Sequence, residues 1–239
     1  MDVLYTASQY QRVASQWIDR ATDDCDTRAG FDALVIRQSS LCTASLRNLQ
    51  AQLLGPQGMF CGFSMAVAQE GRQADALGDV PELEHRERIA SAERVVEFVL
   101  GQHHRRATVQ NPFSDKSREF LCCVVYDEMA PYALVERYAA LEALRQQDSE
   151  FFAALIATTR GTVERRVVFH GLLEHFDALL PVERCIYPEN YRKVHQRHLD
   201  QEELLYGKLE LGMPVRQFLR EFSLEYLLQY LKTLRKEAR

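Results

Sequence analysis

Phe120-Leu121-Cys122-Cys123-Val124-Val125-Tyr126 is the stretch on which the fold class turns. These seven apolar residues fit the end of a short helix capped by Ser114. They fit a buried strand equally well, because a short apolar run carries no period of its own. Read as a helix, the stretch leaves the chain all-α; read as a strand, it brings in a sheet.

The segments around it read as helical. On the N-terminal side, Ile89, Ala92, Val96 and Val99 step by three, four and three, the spacing of one helix face. That helix is expected to stop near Gly101 to Arg106, where two histidines and two arginines complement the negative end of its dipole. Asn111-Pro112-Phe113 then supplies a turn. On the C-terminal side, Asp127 to Pro131 makes a break, and helices are expected over 132–147, 149–160 and 163–179. The last is capped by Thr162 and lines one face with Val168, Leu172, Phe176 and Leu179. Leu180-Pro181 and Tyr187-Pro188 bracket a short turn of helix, and a longer helix follows over 189–206. After a break at Gly207, Gly212 and Pro214, helices are expected over 215–222 and from Ser223 to about Lys236. The sum is an all-α, multi-helix bundle of roughly seven to nine helices with a less regular N-terminal region.

That N-terminal region, residues 1–80, has no lysine and is enriched in Ala, Gln, Ser, Thr and Gly. Helices are plausible over 7–21 and over 31–54, the second carrying Leu34, Leu41, Leu49 and Leu53 and ending at Gly55-Pro56-Gln57-Gly58. Met59 to Ala68 is apolar but short, and 71–81 reads as a linker. The expected organisation is an N-terminal helical arm or small subdomain over 1–80 and a main helical domain over 82–239.

Apolar residues at 46% and charged residues at 26% match a globular composition, which excludes a wholly disordered chain. A net charge of −5 and a pI near 5.8 argue against nucleic-acid binding driven by a basic surface. Only five of the 29 basic residues are lysine, an arginine excess that points to a GC-rich, bacterial genome. Met1-Asp2-Val3-Leu4-Tyr5 has neither the charge nor the apolar stretch of a secretory signal. No run approaches the roughly 20 apolar residues of a membrane span. Six scattered cysteines without a C-x-x-C suggest reduced thiols. The expected location is the cytoplasm.

Five constellations invite a chemical reading. His195, His198 and Glu202 fall within about 60° of one another on a helix and would suit zinc or iron. Tyr191, Leu199 and Leu205 share that face, so a semi-buried structural helix accounts for it as well. A di-iron site needs two Glu-x-x-His motifs, and only Glu82-Leu83-Glu84-His85 supplies one. His170 and Glu174 stand one turn apart, with His175 at the edge of the apolar stripe; a surface pair is the plainer account than a general base. Cys122 and Cys123 lie in an apolar setting that raises a thiol pKa, which favours packing over nucleophilic chemistry. Asp127-Glu128 beside Tyr126 and Tyr132 lacks the regular oxygen ligands of a calcium loop. The fifth, Leu224, Leu227, Leu228, Leu231 and Leu234, is a leucine stripe preceded by Phe218, Leu219 and Phe222 and followed by Lys232, Arg235, Lys236 and Arg239. Such a stripe docks in the chain's own core, in a second copy or in a partner's groove.

No phosphate-binding glycine loop, dinucleotide fingerprint, triad context or repeated metal motif is present. No catalytic residue, cofactor or metal is therefore assigned. The expected function is a non-enzymatic helical interaction or regulatory protein, binding a protein partner or a second copy through Leu224, Leu227, Leu228, Leu231 and Leu234. The alternatives are a metal-binding or metal-dependent helical enzyme using His195, His198 and Glu202, and an exported bacterial effector with residues 1–80 as its arm.

Overall fold

The computed structural model describes residues 27–77, 86–104, 109–158 and 164–222, together with 226, 229 and 230. In chain order its helices are α1 (27–39), α2 (Thr43–Leu54), α3 (Met59–Glu70), α4 (Arg86–His104), α5 (Arg118–Tyr126) and α6 (Leu134–Ala157). They continue with α7 (Arg165–Ala178), α8 (Pro181–Arg184), α9 (Tyr191–Tyr206) and α10 (Val215–Glu221), and two 3-10 turns, Gly71–Gln73 and Asp75–Leu77, follow α3. No strand occurs among the described residues, and the fold is all-α. The helix expected over 7–21 lies outside the described residues.

Phe120–Tyr126 is helix. Ser117 starts it: the backbone there is extended, and the hydroxyl accepts from the Phe120 amide at 3.2 Å, meeting one of the donors a helix leaves orphaned at its N-terminus. The cap is therefore Ser117 and not Ser114. Asn111 holds the preceding turn by accepting from the Phe113 amide and donating to Ala139 O, and backbone bonds from Ser114 and Lys116 prolong that turn past residue 114. Replacing Ser117 with Ala is expected to cost about 1 kcal/mol, measurable as a lower urea midpoint with unchanged slope.

Two other helix boundaries differ from expectation. The single helix expected over 31–54 is interrupted at 40–42, where the Ser40 hydroxyl donates to Arg37 O at 2.7 Å and Cys42 turns extended with ψ 159°. A serine bonded to its own helix backbone competes with the ladder. Conversely, the helices expected over 132–147 and 149–160 are one, α6. The polar run Gln146 to Glu150 contains no Gly or Pro, and Gln146 donates to Glu150 one turn later at 2.6 Å. At its start, buried Glu136 accepts from the Ala133 amide, a cap written three residues into the helix.

The helices form two compact units, Met1–Leu41 with Met59–Ala143, and Cys42–Gly58 with Leu144–Arg239. In the first, α3 packs on α4 and on the two 3-10 turns, so much of the stretch expected as a linker is structured, with Ala74 and Leu77 buried. Val95, Val99, Leu121, Cys122, Val124 and Val125 are fully buried there, and Arg137 donates to Val125 O at the end of α5. In the second, α7 packs on α9 and α10, and α2 on α8. Its core joins Phe151 and Leu155 of α6, Val167 of α7, Leu209, and Val215 and Phe218 of α10.

The buried surface of α7 is wider than the expected face. Leu179 is buried and Val168, Leu172 and Phe176 are half-buried, but Arg166, Val167, Gly171, Leu173 and His175 are buried as well. A helix covered by neighbours on two flanks has no single apolar face. Gly171 allows the close approach of α6: a Cβ there would stand 2.8 Å from Leu155 Cδ1 and 3.3 Å from Phe151 Cζ, so those side chains would have to shift.

Candidate functional site

The leucines of the C-terminal stripe, Leu224, Leu227, Leu228, Leu231 and Leu234, lie outside the described residues. Their described neighbours Tyr226 and Tyr230 do make contacts. Tyr226 stacks on Phe222 at 4.8 Å between centroids, and Tyr230 meets Phe218 at 5.7 Å. Phe218 is buried in the core of the second unit, so one edge of this segment is anchored to α10.

Along α9, the rings take the place that ligands would have. His198 stacks on Phe169 at 5.4 Å, and His195 meets Tyr191 edge-on at 4.3 Å and Phe169 at 6.0 Å. Tyr191 in turn contacts Phe176 and Tyr187. Burial, with a smaller contribution from the neighbouring His198, holds the His195 imidazole below its ordinary pKa, and its Nδ1 is buried with no hydrogen-bond partner. Glu202 takes Arg165 at 3.5 Å. Among the described residues, no three His, Cys, Asp or Glu side chains are grouped to hold a metal ion.

His170 and Glu174 do not pair with each other. His170 Nε2 lies 3.2 Å from Glu203 Oε1, while Glu174 reaches α10 and accepts from the amides of Val215 at 2.9 Å and Arg216 at 3.3 Å. Pro214, at the N-cap position of α10, makes no side-chain cap, so Glu174 supplies one from another helix. His175, expected at a stripe edge, is 4% exposed. Its Nδ1 accepts from Arg216 at 2.8 Å and stands 3.7 Å from Asp148 Oδ1, itself 3.4 Å from Arg216. The imidazole lies on Phe151 and against the edge of Phe152, and the guanidinium lies 4.4 Å over the Phe151 ring.

A second buried polar group went unseen in the sequence. Arg166 donates from Nε and Nη2 to both oxygens of Glu164, at 2.8 and 3.1 Å, with each side chain 3% exposed. Its Nη1 donates to Tyr206 O and Gly207 O, carbonyls at the end of α9. Residues two apart on a helix face different ways, so no helical pattern points to this pair. It forms because Glu164 precedes α7 with φ −99° and ψ 78°.

The remaining candidates resolve into packing and loop contacts. Burial, then Asp127 and Glu119, push the Cys123 thiol up to about 11, and Cys122 is fully buried. Asp127 accepts from the Met129 amide at 3.1 Å and from Arg37 at 2.9 Å. A cleft of about 380 Å³ at the 3-10 turns is lined by Arg72, Gln73, Ala74, Asp75, Leu77 and Val96, and its arginine is paired with Glu97.

No family model, curated protein or solved structure matches the chain. No described helix is long and apolar enough to cross a membrane.

Proposed function

We propose that the chain is a non-enzymatic, cytoplasmic interaction or regulatory protein that binds a helical protein partner through Leu224, Leu227, Leu228, Leu231 and Leu234. The observation that carries this reading is the anchoring of Tyr226 and Tyr230 on Phe218 and Phe222, at the edge of a leucine-rich segment. At about 100° per residue, helical spacing sets Leu224, Leu228 and Leu231 roughly 100–160° from both Tyr226 and Tyr230, with Leu227 and Leu234 nearer the tyrosine edge, so the first three are the leucines best placed for a partner. Lys232, Arg235, Lys236 and Arg239 at its end favour an acidic rim on the partner.

The variant Leu228→Asp/Leu231→Asp tests the reading. Each leucine buried in an interface contributes about 1.5–3 kcal/mol, so association should weaken at least tenfold while helicity by circular dichroism is kept. Sedimentation reads self-association, and quantitative capture with intact and variant chains reads a foreign partner. Unchanged association together with several kcal/mol of lost folding stability would assign the leucines to the chain's own core instead.

A further inference from the structure

We propose that Asp148, Glu174, His175 and Arg216 form a proton-sensitive clasp that holds α10 against α6 and α7 and loosens when His175 is protonated. An arginine only donates, so at 2.8 Å from Arg216 Nη2 the His175 Nδ1 is an acceptor and carries no proton. A proton on Nδ1 and the bond from Arg216 exclude each other. Asp148 makes this an exchange of partners. Its Oδ1 faces both the guanidinium and the imidazole, 3.4 Å from Arg216 and 3.7 Å from His175 Nδ1. Protonated His175 therefore turns its new N–H to Asp148, competes with Arg216 for that carboxylate, and repels the guanidinium.

Charged groups around the imidazole include Asp148 from α6, Arg216 from α10 and, on its own helix, Glu174. Glu174 caps the start of α10 through the amides of Val215 and Arg216. When Arg216 swings away, it draws on the backbone of the residue whose amide Glu174 binds. The imidazole itself is 4% exposed with Phe151 and Phe152 on the ring, whereas the Arg216 side chain is 32% exposed and has solvent to swing into.

Amide hydrogen exchange on the intact chain between pH 7.5 and 5.5 tests the clasp, in a window above the ordinary carboxylate range. With rates corrected for their intrinsic pH dependence, protection at Phe218 and Leu219 should fall about tenfold, the loss of one hydrogen bond from a charged donor, while α9 amides keep theirs. His175→Asn keeps an acceptor near the Nδ1 position but does not titrate here, so its α10 protection should stay flat. An equal fall in His175→Asn, or no fall in the wild type, overturns the proposal. Should that variant not fold, nitrogen-15 shifts of wild-type His175 at pH 7.5 decide: a bare Nδ1 with a proton on Nε2 supports the clasp, and a proton on Nδ1 overturns it.

Discussion

Arg166→Ala should destabilise the second unit by about 3–5 kcal/mol, the cost of breaking a buried ion pair by removing one member. Three losses coincide. Glu164, 3% exposed, keeps a carboxylate stripped of a bidentate donor; the carbonyls of Tyr206 and Gly207 lose theirs; and the turn after α9 loses its tie to α7. Urea unfolding followed by circular dichroism checks the magnitude. The companion variant Glu164→Leu/Arg166→Met should recover part of the loss, because it removes both buried charges, although the two carbonyls remain without Arg166. If Arg166→Ala alone costs less than about 1 kcal/mol, the pair is as weak as an exposed surface bridge.

Phe218→Ala should cost about as much, roughly 3–5 kcal/mol for truncating a buried phenylalanine. Phe218 is 4% exposed in the cluster with Phe151, Leu155, Val167, Leu209 and Val215, and Tyr226 and Tyr230 pack on its ring. The cavity would therefore open under α10 and free the tyrosine anchor together. Equilibrium unfolding gives the energy, and the aromatic proton shifts of Tyr226 and Tyr230 give the anchor. Unmoved tyrosine shifts would mean that the C-terminal segment is held by contacts other than this ring. Leu219→Ala, at a partly buried position beside the same cluster, is the milder control.

Much of the helical layout was legible because its signals are local. The three–four–three step of Ile89, Ala92, Val96 and Val99, the stop at Gly55-Pro56 and the reversals at Gly207 and Pro214 all act through their own backbone. Phe120–Tyr126 was ambiguous in its own composition, since seven apolar residues show no period; the local signal at its start is the Ser117 cap, three residues later than the one expected. The break expected near residue 148 failed for a related reason. Gln147, Asp148 and Ser149 look like a loop by polarity, but polarity alone does not stop a helix.

The candidate site was harder to read. Histidines at helical spacing predicted a shared face correctly, yet the same spacing serves ring stacking on Phe169 and Tyr191 as well as metal ligation. His170 and Glu174, one turn apart, suggested a pair; each instead reaches a different element.

What the sequence by itself determined is an all-α chain of amphipathic segments punctuated by Gly, Pro and capping side chains, because hydrophobic period and backbone preference are properties of neighbouring residues. Only the tertiary structure decided that Cys42–Gly58 groups with the residues from Leu144 onward, that α7 is buried on two flanks, that Glu164 and Arg166 become a buried ion pair, and that buried His175 meets half-buried Arg216. Those contacts join residues on different elements or across a change of backbone conformation. Their partners are selected by packing and by the need to satisfy buried charge, neither of which leaves a period in the chain.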